Sequence, residues 1–477
     1  MFDDLRGLIQ KLDEIGHLTK VEGADWDLEI GTINELMVER KKPILLFDKV
    51  KGYPEGYRIV TNILRTGIAL RLSLGIPEGL SDVDAIRYWR DTCEQYEPVP
   101  PIEVKSGPVM ENILTGEEIN ILTFPAPKWH EKDGGRYIGT GTAIITRDAE
   151  EGWLNVGTYR VMVHDERTLG FYVSPGKHCA TMREKYWAKG ESCPVVMCFG
   201  QEPLLSAAAS MNIPWGTSEF DFVGYVKGRP IEVIKGEITG LPIPATAEIA
   251  IEGFSPPPSV DSRNEGPFGE WSGYYASGAR DEPVVHIKAI YHRSNPIMLA
   301  MPAVEPGGCG TYAIPIHTAS PLWSALEKSG MQGVRGVWVH GTSNRIVVVV
   351  SIQQRYLGHA KQIATLAASL IQGEGGTGRY VVVVDEDIDP ANPREVMWAI
   401  YSRCDPETSI NIISGYLSSP IDPVIPPEKR SRRDFTQTKV IMNACKPYHW
   451  MKEFPPANRA SDELRKKVTD KWGHLFT

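Results

Sequence analysis

No apolar run in this sequence reaches the ~20 residues needed to cross a bilayer, so no membrane span is expected. Nor is there a surplus of positive charge. Lys and Arg number 51 against 60 Asp and Glu, for a formal net charge of −9. A nucleic-acid binder needs a basic face to displace phosphate counterions, so no nucleic acid is expected as a partner. Cysteine is sparse, 7 in 477 residues, and no two are spaced as CxxC. That argues against a zinc site and a disulfide framework, and fits a reducing cytoplasm. The opening residues MFDDLRGLIQKLDEIG are acidic and helically periodic, unlike a signal peptide. P-loop, GxSxG and HExxH motifs are also missing.

What is present is an ordinary globular composition, 42% hydrophobic and 23% charged, over a length suited to roughly two to four domains. Phe2, Leu5, Leu8, Ile9 and Leu12 recur at helical spacing, and further helical patterns fall near 28–37, 66–75 and 83–96. With the short strand ILLF (44–47), these make residues 1–115 an α/β module that the Pro-rich run at 97–104 closes. Residues 116–304 read as many strands cut by Gly and Pro turns, a barrel or sandwich pattern. Cys193 and Cys198 bracket one of these strands and are read as packing residues. From 305 to 477, strand and helix alternate. The runs RIVVVVS and YVVVVD imply parallel strands under helical cover. Near the end, Leu464, Val468 and Trp472 form a narrow helical stripe suited to docking on a second subunit, and KRSRR (429–433) reads as a solvated linker.

GEGGTG (373–378) matches GxGxxG literally, but it follows a helix and precedes a strand. That is the reverse of the order a dinucleotide fold requires, so it reads as a helix-to-strand loop. The stretch Trp153–His178, WLNVGTYRVMVHDERTLGFYVSPGKH, says more. It reads as a strand, a turn and a second strand, with Asn155 and Arg160 on the first and His178 in a loop past the second. Residues five apart on a regular strand face opposite sides. A bulge at Gly157 would bring Asn155 and Arg160 to one face. In EGPFGEWSGYY (265–275), Glu265 and Glu270 flank a bent Gly-Pro-Phe-Gly backbone. Two carboxylates sharing a desolvated site raise one pKa into a range useful for acid catalysis. The aromatic residues Phe268, Trp271, Tyr274 and Tyr275 argue against full exposure of this loop. Asn155, His178 and Glu219 offer amide oxygen, imidazole nitrogen and carboxylate, which suits Mn²⁺ or Mg²⁺.

Several blocks, in this order, resemble the UbiD family of reversible decarboxylases, which use prenylated FMN. They are WLNVGTYR (153–160), the HCA that starts at His178, SEFDFVG around Glu219, IPATAEIAIEG (243–253), EGPFGEWSGYY and VVVVDEDIDPANPREVMWAIYSRCDP (381–406). The resemblance spans nearly the whole chain. It implies a mixed α+β architecture: an N-terminal α/β domain, a central split β-barrel of the flavin-binding type, and a C-terminal α/β domain with a partly parallel sheet and a docking helix.

By position, the resemblance assigns Asn155, His178 and Glu219 to the divalent metal, which bridges protein and cofactor phosphate. Asn155, Val156, Gly157, Thr158, Tyr159 and Arg160 would line the prenylated flavin, and Lys177 and His178 would lie beside it. Trp153, Ala209, Ser210 and Met211 match a monovalent site for K⁺ or Na⁺ built mainly from backbone carbonyls. Arg160, Glu265 and Glu270 match the catalytic trio. One departure stands out. Where a Lys is expected before the VVVVD strand, contacting the flavin phosphate, this chain has Arg379, which keeps the charge and changes the geometry.

The implied reaction is non-oxidative, reversible loss of CO₂ from an aromatic, heteroaromatic or α,β-unsaturated acid through a covalent cofactor–substrate adduct. Losing CO₂ from an sp² carbon needs an electron sink that no side chain provides, so a cofactor carries that step. A flavin prenyltransferase would supply the cofactor, and a homodimer or homohexamer is expected. Val173, Ser174 and Lys177 are expected near the substrate. Two other readings stand beside this one: a non-catalytic cofactor-holding or structural subunit of a multi-subunit carboxylase, and a plain FMN-binding oxidoreductase.

Overall fold

Continuous apolar runs begin in the middle of the chain, and the largest sheet is built there. The protein, seen as a computed structural model, is described over residues 1–304, 313–340, 346–371 and 378–475. The large sheet has ten strands. Its main path runs Arg136–Gly139, Val161–Asp165, Thr168–Gly170, Arg280–His292, Ile249–Ser255, Cys193–Phe199, Thr142–Arg147 and Leu154–Gly157. Asn112–Thr115 and Ser262–Glu265 also pair with the long strand Arg280–His292.

This order forces the sheet to curl. Leu154–Gly157 and Val161–Asp165 are joined by three residues yet stand six strand spacings apart on the path. In a flat sheet that separation would be ~29 Å, whereas four Cα steps reach at most ~15 Å. The sheet therefore wraps into a half-barrel whose two ends meet at residues 158–160. Ile144, Val195 and Met197 pack on one face of the sheet and Ile145, Val196 and Cys198 on the other, all with no exposed surface. Cys193 is buried with them, in agreement with the packing role read for both cysteines. The helices His178–Ala188, Pro203–Ala208 and Glu219–Lys227 pack on the strands Thr142–Arg147 and Leu154–Gly157.

The N-terminal sheet orders Thr19–Glu22, Leu45–Asp48, Arg58–Thr61 and Ile297–Ala300, so a strand from near position 300 completes it. Its first helix, Leu5–Glu14, buries Leu5, Leu8, Ile9 and Leu12, the spacing seen in the sequence. The C-terminal sheet is mixed. Val347–Ile352, Tyr380–Asp385 and Thr436–Ala444 run parallel, and Val334–Val339 and Ile410–Leu417 flank them antiparallel. The last parallel strand was hidden in the sequence by Lys439. That residue is 1% exposed and donates from Nζ to the carbonyl of Ala368 at 2.7 Å. GEGGTG lies almost wholly outside the described residues, between the helix His359–Leu370 and the strand Tyr380–Asp385. Leu464, Val468 and Trp472 do share a helix, Asp462–Trp472, and are exposed. KRSRR is not a free linker: Lys429, Arg430 and Ser431 belong to the short helix Pro427–Ser431, and Arg430 is held by four backbone carbonyls.

Candidate active site

The meeting point of the barrel ends carries the chemistry. Leu154–Gly157 pairs in plain register with Thr142–Arg147, Asn155 opposite Thr146 and Gly157 opposite Ile144. The expected bulge at Gly157 is therefore absent. The register slips instead where Arg136–Gly139 pairs with Val161–Asp165, between Tyr137 and Gly139, and the strand Leu154–Gly157 simply ends at Gly157. A different need explains this glycine: a Cβ there would run into the Tyr159 ring. Residues 158–160 cross between the barrel ends, fixed by Thr158 N–H to Ala209 O at 3.0 Å and Tyr159 N–H to Thr142 Oγ1 at 3.1 Å. The crossing, not a bulge, frees Arg160 from the facing imposed on Asn155.

Arg160 reaches two carboxylates. Its Nε and Nη2 donate to Glu265 Oε1 and Oε2, both at 2.9 Å, and its Nη1 donates to Glu270 Oε1 at 2.7 Å. The first pair is the two-pronged geometry that planar guanidinium favours. Glu265 ends the strand Ser262–Glu265, is 1% exposed, and also accepts from the Tyr137 hydroxyl at 3.0 Å. Glu270 sits in the loop beyond, 7% exposed, with Ser277 Oγ at 3.4 Å. Tyr172 stacks on the guanidinium at 4.3 Å and Phe268 lies at 5.5 Å. Burial pushes the Glu270 carboxyl above its ordinary range, and Arg160 opposes that push without cancelling it. Burial by itself would lower the Arg160 pKa, but Glu265 and Glu270 outweigh it and hold the guanidinium charged. A buried cation beside a carboxyl biased toward its neutral form is an arrangement chemically able to bind an anion and to give up a proton next to it.

A second cluster lies along the same strand. Glu219 opens the helix Glu219–Lys227 and is 3% exposed. Its oxygens accept from Asn155 Nδ2 at 3.0 Å and from Val156 N–H at 2.6 Å. Burial lifts its pKa to about 8, against the pull of those two bonds. Asn155 Oδ1 is buried with no hydrogen-bond partner, a costly state for an amide oxygen unless something else meets it. His178 is not in a loop, as the sequence suggested, but is the first residue of the helix His178–Ala188 with Lys177 at the N-cap. A Pro-Gly pair just before a helix start reads as loop until the helix is seen. The His178 ring stands edge-on to Trp153 at 5.5 Å and Trp215 at 5.2 Å. Burial, then Lys177, lowers its pKa and favours the neutral imidazole that a metal binds. Among the described residues no three His, Cys, Asp or Glu side chains cluster around a metal position; the donor set here depends on an amide.

Family models match in chain order. The N-terminal domain of 3-octaprenyl-4-hydroxybenzoate carboxy-lyase covers residues 9–86, its Rift-related domain 102–306 and its C-terminal domain 311–444. The chain belongs to the UbiD family of carboxy-lyases. A phenolic acid decarboxylase of Bacillus subtilis is 31% identical over 439 residues, 88% of this chain and 89% of that protein. Vanillic acid decarboxylase of Sedimentibacter hydroxybenzoicus, in open form, superposes with a TM-score of 0.83 at 30% identity over 100% of both chains. The UbiD-class enzyme HmfF of Pelotomaculum thermopropionicum, in complex with FMN, gives 0.85 at 26% identity over 98% of this chain and 100% of its own. An evolved dimeric form of HmfF in complex with prFMN gives 0.81 at 25% identity over 98% and 100%.

Of the residues that the family resemblance singles out, the structure joins Arg160 to Glu265 and Glu270, and Asn155 and Val156 to Glu219. Trp153 O and Ala209 O each accept one backbone N–H, from Asp148 and Thr158, and keep a second lone pair. Ser210 Oγ lies 3.2 Å from His317 Nδ1 and donates to Ala207 O, and Met211 N–H donates to Ala208 O. Arg379 stands apart: its partners are Asp422 and Gln437, both in the C-terminal region. Tyr137, Tyr172 and Ser277 were missed in the sequence. Nothing in their local pattern marks them, because their roles arise only when the barrel closes. The loop is not fully exposed, as its aromatic residues suggested: Phe268 and Glu270 are buried, although Tyr274 is 62% exposed. Among the described residues, no helix is long and apolar enough to cross a membrane.

Proposed function

We propose that this UbiD-family chain is a prenylated-FMN-dependent reversible decarboxylase of an aromatic, heteroaromatic or α,β-unsaturated acid. The observation that carries the reading is the buried Arg160 bound at once to Glu265 and Glu270. A guanidinium has five N–H donors, and three are used here, so two remain for a substrate carboxylate. Stacking by Tyr172 and the fork to Glu265 hold that guanidinium in one plane, which orients the departing carboxylate. The prenylated flavin, when bound, supplies the electron sink for the carbon that loses CO₂. As the C–C bond breaks and CO₂ leaves, Glu270 delivers the proton that forms the new C–H bond. The resulting Glu270 carboxylate is stabilised by Arg160 until solvent returns the proton. Run in reverse, Glu270 takes the proton and Arg160 orients the incoming CO₂.

The residues around Glu219 fit a divalent cation, Mn²⁺ or Mg²⁺. Asn155 Oδ1 is buried without a partner, Glu219 is buried without a cation, and His178 is biased neutral. Asn155, His178 and Glu219 would hold the metal against the cofactor phosphate, and the free lone pairs of Trp153 O and Ala209 O suit K⁺ or Na⁺. Arg379, committed to Asp422, is better placed to brace the C-terminal region than to meet the phosphate. In this reading residues 116–304 hold the cofactor, and residues 305–477 serve assembly into a homodimer or homohexamer. Loss of the trio would favour a non-catalytic subunit, and all three side chains are present and bonded.

The test is to produce the chain with a flavin prenyltransferase and record its absorbance, bound flavin phosphate and metal, then CO₂ release across a panel of aromatic, heteroaromatic and unsaturated acids. A coloured protein that releases CO₂ from at least one acid is expected. A colourless protein without flavin phosphate overturns the reading.

A further inference from the structure

The loop that carries Glu270 spans residues 266–279, between the strands Ser262–Glu265 and Arg280–His292. Within the half-barrel it is pinned by Gly134 N–H to Pro267 O at 2.8 Å and by Tyr275 OH to Asp133 Oδ1 at 2.9 Å. Its own turn is closed by Glu270 N–H to Tyr274 O at 3.1 Å and Gly273 N–H to Glu270 O at 2.9 Å. A further anchor comes from more than 150 residues away, where the Arg430 guanidinium donates to Ala276 O.

Arg430 is unusual in what it binds. It donates to Ile425 O and Pro420 O, each at 2.9 Å, to Asp422 O and to Ala276 O, and these four acceptors are all main-chain carbonyls. The three C-terminal carbonyls belong to a tight segment that Asp422 organises. The Asp422 side chain is fully buried, accepts from Ser418 Oγ and Val424 N–H, and pairs with Arg379. One guanidinium thus fastens a rigid C-terminal segment to the residue preceding Ser277, whose hydroxyl touches Glu270. Phe268 anchors the start of the loop in the barrel core, whereas residues 271–279 are all half-buried or exposed and depend on such bonds to fix them.

We propose that Arg430 is a positioning residue for the proton donor: by clasping Ala276 it holds the Glu270 loop against the C-terminal region. The proposal rests on Glu270 delivering the proton, and its role is to keep that carboxyl within reach of the reacting carbon. Displacements of about 1 Å at such a group cost up to ~100-fold in rate.

The experiment compares full-length Arg430→Ala and Arg430→Lys with the parent. Amide hydrogen exchange is read on peptides covering 268–279, with the central strand Cys193–Phe199 as internal reference. Arg430→Ala is expected to speed exchange at Glu270 and Gly273 about tenfold or more and leave the reference strand unchanged. It should also lower kcat at least tenfold, with KM for the acid and FMN affinity within about threefold. Arg430→Lys, which keeps one donor to Ala276, should fall between, and it carries the test alone if Arg430→Ala does not fold. Unchanged loop exchange in both variants overturns the proposal, as does a loss of kcat matched by loss of FMN binding or faster exchange throughout the barrel. If Glu270→Gln retains proton exchange at the product carbon, the functional reading fails, and loop exchange still decides whether Arg430 is a clasp.

Discussion

Two clusters of buried carboxylate lie on one half-barrel, and the chain treats them in opposite ways. Glu265 and Glu270, 1% and 7% exposed, share the guanidinium of Arg160. Glu219, 3% exposed, receives two N–H dipoles and no cation. Dipoles recover only part of the cost of taking a carboxylate out of water, so Glu219 is driven up to about 8. Glu270 is raised by the same burial but held back by a full positive charge a hydrogen bond away. The first site is electrostatically complete in the chain itself. In the second, no cationic side chain among the described residues pairs with Glu219, and the Asn155 oxygen is buried without a partner.

The comparison breaks most visibly at Arg160. Arg160→Ala leaves two buried carboxylates without their cation, which should cost about 3–5 kcal/mol of folding stability. Denaturant unfolding measures that, and CO₂ release should fall by at least ~10³. Stability within ~1 kcal/mol of the parent would mean the trio is not a closed ion cluster.

Glu270→Gln asks a narrower question, since it keeps the shape and removes only the proton. Decarboxylation and deuterium exchange at the product carbon should drop by about 10²–10⁴. Bound flavin and metal should stay at parent levels, because Glu270 touches neither Asn155 nor Glu219. Unchanged exchange would take proton delivery away from Glu270. For contrast, Glu219→Gln, which removes the charge of a direct ligand, should weaken Mn²⁺ binding by more than the ~10–100-fold that loss of an outer-shell partner costs. Flavin phosphate should be lost with it, by equilibrium dialysis, while the Arg160 cluster stays intact.

These two sites differ in how far the sequence revealed them. The residue types were visible in both, because Asn155, His178 and Glu219 sit at strand and helix positions that packing alone would not fill with polar groups, and Arg160 lies in the short crossing between two apolar strands. Strands cut by Gly and Pro turns pointed to the central sheet, and two apolar runs marked two of the three C-terminal parallel strands. The means of bringing Arg160 and Asn155 together was not visible. A local pattern suggested a bulge at Gly157, whereas the answer is a crossing between barrel ends that depends on eight strands along one path. The polar residues that finish the Arg160 site, Tyr137, Ser277 and Arg430, act across separations of about 100 residues or more or within an irregular loop, and periodicity carries no trace of such contacts. Strand Thr436–Ala444 was lost for a related reason: its buried Lys439 is satisfied by helix-end carbonyls that only the tertiary fold supplies.

The smallest effect, and the most specific to the uncompensated site, is on pH. In metal-free protein the Glu219 pKa is about 8, against 4.5 for an ordinary glutamate. The folded chain therefore binds more protons than the unfolded one between those values, and stability falls as pH rises through them. Below the unfolded value the stabilisation is fully present, and above about 8 it is gone. His178 works with the other sign, being held neutral in the fold, but its effect lies below its ordinary value near 6.5. Between pH 7 and 8 the two separate. There the metal-free parent should lose up to about 1 kcal/mol per pH unit, and Glu219→Gln should flatten that part of the slope. Mn²⁺ should reverse it, because the cation needs the ionised carboxylate and its binding releases the proton. Thermal unfolding of both proteins across that window, with and without Mn²⁺, measures all three slopes. Parallel slopes in parent and variant would show that Glu219 is not the carboxylate short of a cation.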